Sequence, residues 1–197
     1  MAVHNLTTPF TDEMIHELHV GDTVYFDGTL FGIRDLTQIY MFDQNHEPPC
    51  SLAGMPAIHT APSLKKVGDR WEKICVGTTT STRMERFSPE LIGTYGVKAI
   101  IGKGGLYNGS LQAMQQHKAV YLAIVGGSAA LETLQVEEVE EVYWEHLHPE
   151  ALYKFRVKGF GPLTVGMDSH GRHLFEEVKE NTRRKLPDIY EKLGIVE

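Results

Sequence analysis

Two short glycine-flanked loops constrain most strongly what this chain can fold into. Gly77–Met84 carries a row of hydroxyl side chains and an arginine, and Gly102–Gly105 carries a lysine. An alternating run at 73–76 ends at the first loop, and a β-branched run at 97–101 ends at the second, so each loop follows a predicted strand. In open sheets with helical crossovers, ligands bind beyond the carboxyl ends of strands. The sequence therefore predicts chemistry at these two loops.

Strand and helix signals alternate through the middle of the chain. Ser88 followed by Pro89 predicts a helix start, and glycine-terminated strands alternate with helical segments after it. This order predicts right-handed parallel crossovers, and hence an α/β fold. No linker, repeat or low-complexity tract divides the sequence, so we expect one domain over residues 1–197. The predicted elements here are a strand at 97–101, a helix at 111–117, a strand at 119–125 and a helix at 129–134.

Shorter patterns occupy the two ends of the chain. Thr11 before two acidic residues predicts an N-cap and a helix to Leu18, and the run 23–32 predicts a strand with a turn or bulge at Asp27-Gly28. Residues 45–66 contain four prolines, which predicts irregular connections with at most short strands. Further predictions are a short helix at 38–43, a Gly68-Asp69 turn into a strand at 70–76, a strand pair at 153–158 and 163–167, and a helical tail at 172–193 that Pro187 interrupts. Residues 136–144 suit either a helix or a strand, and Val142-Tyr143-Trp144 favours the strand.

The composition excludes several classes of function. The formal net charge is −7 and no basic run of five residues occurs, which argues against nucleic acid as the main partner. No apolar run reaches the ~20 residues of a membrane helix and no signal-peptide pattern opens the chain, so we expect a cytoplasmic protein with no membrane association. Cys50 and Cys75 cannot by themselves hold zinc or an iron–sulfur cluster, and we place Cys75 in the core. The histidine pairs 146/148 and 170/173 lack further ligands, so we expect no metal site.

The loops themselves allow a functional and a structural interpretation. Gly102–Gly105 fits neither a phosphate loop nor a dinucleotide fingerprint, because glycine follows Lys103 and Tyr107 occupies the third fingerprint position. Its glycines suit either a tight turn with a solvated lysine or a backbone that approaches an anion closely. The threonines of the first loop likewise suit either helix-capping turn residues or substrate contacts.

Three cations, Arg34, Arg83 and Lys103, each follow a predicted strand end. Together they predict a clamp for the two carboxylates of a small diacid, because the planar guanidinium fork binds a carboxylate bidentately. A threonine hydroxyl is a poor base or nucleophile until another group takes its proton. No histidine or aspartate adjoins the threonine loop in sequence, so we expect the activating group from elsewhere in the fold or from another chain.

Taken together, these motifs resemble the β-subunit of class I iron–sulfur hydro-lyases, which are the two-subunit class I fumarases and the L(+)-tartrate dehydratases. The resemblance extends over nearly the whole chain. It is carried by Leu6-Thr7-Thr8-Pro9, Gly21-Asp22, Gly28-Thr29, Arg34-Asp35, Gly77-Thr78-Thr79-Thr80-x-x-Arg83-Met84, Gly102-Lys103-Gly104-Gly105, Val136-Glu137-Glu138-Val139-Glu140, Phe160-Gly161-Pro162-Leu163 and Asp168-Ser169-His170-Gly171.

The resemblance implies a swivelling β/β/α domain with a mixed, partly parallel sheet and flanking helices. It also implies a larger α-subunit that holds a [4Fe–4S] cluster on three cysteines, in a heterodimer or heterotetramer. This chain then binds no cofactor alone and is active only with that partner.

The resemblance also assigns roles to residues of the two loops. Arg34, Arg83 and Lys103 match the family's substrate-carboxylate residues. Thr79 matches the threonine proposed as the base at substrate C3, with an α-subunit aspartate as its proton acceptor, and Thr80 matches a neighbouring substrate contact. The expected catalytic residues are therefore Thr79, Arg83 and Lys103.

Two functions follow from this resemblance. The first is an enzyme subunit for the reversible hydration and dehydration of a C4-type dicarboxylate, between fumarate and malate or between L-tartrate and oxaloacetate. The second is a non-catalytic partner or dicarboxylate-binding domain that kept the fold but lost turnover. Gln38 stands where family members usually carry a histidine, close in sequence to Arg34, and this departure favours the second function.

Overall fold

A computed structural model describes the backbone of residues 1–195, and the side chains of that range except at 128–130. Its nine strands are β1 Val3–Thr7, β2 Thr23–Ile33, β3 Pro56–His59, β4 Ser63–Val67, β5 Arg70–Cys75, β6 Ala99–Gly102, β7 Val120–Ala123, β8 Val136–Tyr143 and β9 Leu152–Met167. Seven of them form one mixed sheet in the order β1-β2-β3-β6-β7-β9-β8, and β9 also pairs with β2. The first five run parallel, whereas β9 is antiparallel to β2, β7 and β8. The hairpin of β4 and β5 is a separate two-stranded sheet.

Six α-helices connect and flank these strands. They are α1 Asp12–His16, α2 Asp35–Gln38, α3 Ser88–Gly93, α4 Asn108–His117, α5 Ala129–Gln135 and α6 Leu174–Leu193. A π-helical turn, Ile39–Asp43, continues α2. In the part of the chain that the structure describes, none of the helices is long and apolar enough to cross a membrane.

The central parallel strands β3, β6 and β7 are buried on both faces, which gives this part of the molecule three layers. Alternate residues of a strand point to opposite faces, and accordingly Ile58 and Ile101 join the cluster with β8 and β9, whereas Ala57 and Ile100 join the cluster with α3 and α4. Burying one such isoleucine contributes about 1.5–3 kcal/mol. The layers are therefore antiparallel strands, parallel strands and helices, which confirms the predicted mixed α/β architecture.

Several local predictions are confirmed at their expected positions. Thr11 is the N-cap of α1, and its Oγ1 accepts a hydrogen bond from the Met14 amide at 3.3 Å. Strand β2 has register shifts against β9 around Phe26 and Gly28, where a bulge is predicted. The Gly68-Asp69 turn joins β4 to β5, and residues 136–143 form a strand.

The prediction of two strands with a turn at 159–162 is wrong, because β9 runs through that segment without a break. The side chain of Gln135 explains how Gly161-Pro162 is accommodated. Its amide donates to the Gly161 carbonyl at 2.6 Å and its carbonyl accepts from the Gly161 amide at 3.0 Å. A distant side chain thus satisfies the backbone groups of Gly161 where the pairing with β2 is irregular.

Two further predictions are corrected. Helix α6 continues through Pro187. Because no residue of this helix is buried, water can hydrate the carbonyl that the missing proline N–H leaves unpaired. Cys75 is exposed rather than in the core, because it ends the separate β4–β5 hairpin instead of a strand of the main sheet. By contrast, β3 is a central, fully buried strand inside the proline-containing segment.

Candidate functional site

The two glycine-flanked loops meet where β3 and β6 end. The Thr79 amide donates to the His59 carbonyl at 2.8 Å, and the Ser81 amide donates to the Lys103 carbonyl at 2.8 Å. Thr80 also forms a parallel bridge with Lys103. The threonine loop does not follow a strand of the main sheet, because β5 belongs to the hairpin. It lies instead across the carboxyl ends of two parallel strands.

Asp35 joins the two arginines of the site. Arg83 binds this carboxylate bidentately, with Nε 3.3 Å from Oδ1 and Nη2 2.9 Å from Oδ2, and its Nη2 also donates to Thr79 Oγ1 at 3.3 Å. Arg34 Nε lies 3.4 Å from Asp35 Oδ2 and 3.4 Å from Glu150 Oε1. Partial burial alone raises the pKa of Asp35, but the hydrogen bonds and charge of Arg83 outweigh it and hold that pKa below its ordinary value. Asp35 is therefore ionised and fixes the orientation of both guanidinium groups.

Lys103 supplies a third cation at the same edge of the sheet. Within the described residues its ammonium has no carboxylate within salt-bridge distance. Its side chain lies over Gly126, where an added Cβ would come within 2.9 Å of Cδ and 3.0 Å of Nζ. Glycine at 126 thus leaves room for the lysine, and the charge remains available to an anion.

A buried hydrogen-bond chain supports the loops from below. The Gly105 amide donates to the Tyr121 hydroxyl at 3.3 Å, and that hydroxyl donates to Ser81 Oγ at 3.1 Å. Ser81 Oγ lies 2.9 Å from His59 Nδ1. An added Cβ on Gly102 would lie 1.9 Å from Ser81 Oγ, so these hydrogen bonds require glycine at position 102.

His59 ends this hydrogen-bond chain, and burial shifts its pKa strongly. It is fully buried, and desolvation lowers the pKa of its imidazole to about 3, so the ring is neutral at physiological pH. Its Nε2 has no hydrogen-bond partner. Burial also raises the pKa of Tyr121 to about 12, which keeps the phenol protonated. The support beneath the loops is therefore uncharged.

All five predicted site residues lie in one contact network: Arg34, Thr79, Thr80, Arg83 and Lys103. Arg83 donates a hydrogen bond to Thr79, and Asp35 forms ion pairs with both arginines. The backbone of Thr80 forms a parallel bridge with that of Lys103. This arrangement offers three cations to a dianionic ligand and one hydroxyl beside a guanidinium. A positive charge next to Thr79 Oγ1 favours loss of its proton. Among the described residues, no carboxylate or imidazole contacts that oxygen, so a group that takes the proton is not part of this network.

Sequence reasoning missed His59, Ser81 and Tyr121. The only local signal for His59 is a histidine at the end of a short apolar run, and nothing in the sequence pairs it with a serine 22 positions later. Gln38 was noted only as a departure from the family. It is buried, its Nε2 lies 3.3 Å from the Arg34 carbonyl, and its Oε1 has no partner.

Metal-binding side chains do not cluster in the described part of the chain. No group of three histidine, cysteine or carboxylate residues lies close enough together there to hold a metal ion. Cys50 is half-buried, Cys75 is exposed, and neither forms a disulfide. The described residues therefore do not fit an iron–sulfur cluster.

Comparisons with known proteins identify relatives over almost the full length. The sequence model of the family described as "Fumarase C-terminus" matches residues 2–178. The L(+)-tartrate dehydratase subunit beta of Escherichia coli is 40% identical over 189 residues, which cover 95% of this chain and 94% of the relative. A putative L(+)-tartrate dehydratase subunit beta of Methanocaldococcus jannaschii is 39% identical over 91% of this chain and 94% of the relative. A putative class I fumarate hydratase of Geobacillus stearothermophilus is 38% identical over 96% of this chain but 37% of its own length.

Proposed function

The chain belongs to the Fumarase C-terminus family, as a β-subunit of the tartrate dehydratase and class I fumarase hydro-lyases, and from this premise we propose that it binds a C4-type dicarboxylate and helps to add or remove water. The reaction is fumarate to malate or L-tartrate to oxaloacetate. One observation supports the proposal most: three cations and a hydroxyl hydrogen-bonded to one of them meet at the edge of one sheet. These are Arg34, Arg83, Lys103 and Thr79.

Arg34, Arg83 and Lys103 bind the two substrate carboxylates. The ammonium of Lys103 takes one of them directly, because it has no competing carboxylate among the described residues. Arg83 already has its Nε and Nη2 on Asp35, so it presents its remaining N–H groups to the substrate. Asp35 is a positioning residue that keeps this fork in place. Fixing two carboxylates in this way orients the carbon that exchanges a proton.

Thr79 is the proposed base at substrate C3, and Thr80 contacts the substrate beside it. The Arg83 guanidinium, 3.3 Å from Thr79 Oγ1, stabilises the oxygen when it has lost its proton. The proton acceptor for Thr79 comes from outside the described residues, which supports an active site shared with a second subunit. That subunit is a larger α-subunit, in a heterodimer or heterotetramer.

The cofactor of the reaction is a [4Fe–4S] cluster on three cysteines of the α-subunit. Such a cluster supplies a Lewis acid for the substrate hydroxyl when it is bound. Because the described residues of this chain hold no ligand set for it, their part is limited to binding the carboxylates and moving the C3 proton.

A second function is supported by the surroundings of Gln38. The Gln38 side-chain amide donates a hydrogen bond to the Arg34 carbonyl, and its buried Oε1 has no partner. The family usually has a histidine at this position. A dicarboxylate-binding subunit without turnover is the corresponding alternative.

The test is anaerobic co-expression with the α-chain, followed by assays on malate, fumarate and both tartrates. We expect turnover of one of them, and we expect Arg83→Ala to reduce kcat/KM by at least about 100-fold, because positioning contributes several kcal/mol. Arg86→Ala is the matched control. Arg86 lies three residues away and pairs with Asp43 outside the network.

The outcomes separate the two functions. Equal activity of the Arg83 and Arg86 variants would remove Arg83 from the site. A complex with an intact cluster that binds a dicarboxylate but turns over none of the substrates would favour the non-catalytic alternative.

A further inference from the structure

An exposed group of aliphatic side chains lies beside the site. Ile74 is 62% exposed at the end of β5, and Leu131 and Leu134 are 64% and 76% exposed on α5. The two leucines are three positions apart, so they lie on the same side of the helix. Val125, which directly precedes the turn into α5, is 73% exposed. We name these four residues the aliphatic ledge.

A hydrogen bond joins the two elements that carry three of the ledge residues. The Val76 amide, directly after β5, donates to Thr133 Oγ1 of α5 at 2.8 Å, so the hairpin and the helix are packed against each other. Large aliphatic residues that are singly exposed are ordinary on protein surfaces. Three of them lie on two elements joined by a buried hydrogen bond, and the fourth precedes the turn into the helix. Exposed aliphatic groups that gather in this way mark interaction sites.

The ledge borders the proposed catalytic residues on two sides. Residues 77–83 follow β5 directly, so Ile74 precedes the threonine loop by only a few positions. Val125 precedes Gly126, over which the Lys103 side chain lies. The ledge therefore adjoins, along the chain, the segment that carries Thr79 and the glycine that Lys103 contacts.

We propose that the aliphatic ledge is the docking surface for the α-subunit. This inference rests on the proposed function and adds the place of contact. The occupant is an apolar face of the larger hydro-lyase subunit.

Two observations favour this occupant over a second copy of the chain. The network around Thr79 has no proton acceptor among the described residues, and the ledge is the apolar surface adjoining it. In addition, this chain matches only 37% of the Geobacillus relative, so 63% of that longer chain (100 − 37) is covalently attached to the counterpart of this domain. A domain with such an attachment needs a surface on which the rest of the chain packs.

The experiment measures binding of the full-length chain to the α-chain under anaerobic conditions. Leu131→Glu, Leu134→Glu and Ile74→Glu each place a carboxylate in the contact, and we expect each to raise Kd at least about tenfold. Val3→Glu is the matched control, because Val3 is 65% exposed at the amino end of the edge strand β1. Since all four positions are exposed, the isolated variants should keep the wild-type circular dichroism spectrum and Tm.

The two native cysteines give a second readout without substitution. Cys75 is next to Ile74 and exposed, whereas Cys50 is half-buried in a different segment. Binding of the α-chain should slow alkylation of Cys75 at least about tenfold relative to Cys50, because the partner covers the ledge.

The results distinguish this inference from the proposed function. Wild-type chain that forms no complex with the α-chain would overturn both. A wild-type complex that tolerates the ledge substitutions and leaves Cys75 reactive would overturn the ledge alone. An isolated chain that is a dimer, and becomes a monomer on Leu134→Glu, would assign the ledge to a second copy instead.

Discussion

Lowering the pH from 7 to 5 should destabilise this protein through His59. Its imidazole has a pKa of about 3 in the folded chain, against an ordinary value of 6.5, because it is fully desolvated. Below pH 6.5 the unfolded chain therefore binds a proton that the folded chain does not bind. The free energy of unfolding falls as the pH drops from 6.5 towards 3, which is the direction expected for a histidine buried in its neutral form.

The size of the effect follows from the two pKa values. Between pH 7 and pH 5, protonation of the unfolded state at this one residue removes about 2 kcal/mol of stability. Asp22 and Asp35, whose pKa values are lowered, contribute only below their ordinary value of 3.8. Comparison with a variant that lacks the histidine isolates its contribution.

The assay is urea unfolding followed by circular dichroism at pH 7 and pH 5, for wild type and His59→Gln. Glutamine does not titrate, so the difference in unfolding free energy between the two proteins should shrink by about 2 kcal/mol at the lower pH. His146→Gln is the control, since His146 is exposed and solvated in both states. A difference that stays constant between pH 7 and pH 5 would refute the neutral, buried state of His59.

Two remaining predictions concern single contacts of the fold. Gly126→Ala should reduce turnover of the complex, though less than Lys103→Ala does, because the new Cβ displaces the flexible end of the lysine side chain without removing its charge. Gly127→Ala is the control, with no heavy atom within 4 Å of its added Cβ. Gln135→Ala should lower the free energy of unfolding by about 2 kcal/mol, because it removes two hydrogen bonds to the backbone of β9, and thermal unfolding of the isolated chain measures it. Unchanged activity of the first variant, or an unchanged Tm of the second, would contradict these contacts.

Local signals predicted the elements whose cause is local. The Thr11 cap, the Gly68-Asp69 turn and the alternating strands and helices of the middle segment each follow from neighbouring residues. The glycine loops were found for the same reason, because a strand signal that stops at glycine is visible in a short window. This is why the sequence alone predicts five residues that the fold brings into one network, although their membership of an active site and their roles remain predictions.

The features that the sequence did not predict have a different origin, since each depends on a residue far away in sequence. Strand β9 passes through Gly161-Pro162 because Gln135, 26 positions earlier, bonds the glycine. His59 is part of the support because Ser81 and Tyr121 arrive beneath it from a loop and another strand. No periodicity within one window reports such pairs.

Strand β9 also determines when the protein can fold during synthesis. Thr23 faces Thr164 across the β2–β9 pair, 141 positions later, so the buried face of the parallel strands stays uncovered until the final fifth of the chain has been made. From the end of β7 to the end of β9 a ribosome adds 44 residues (167 − 123), which takes roughly 2–9 seconds at the usual 5–20 residues per second. Throughout this interval the nascent chain exposes aliphatic strands with unpaired edges. Its yield in a cell therefore depends on translation speed and on chaperones that cover those strands.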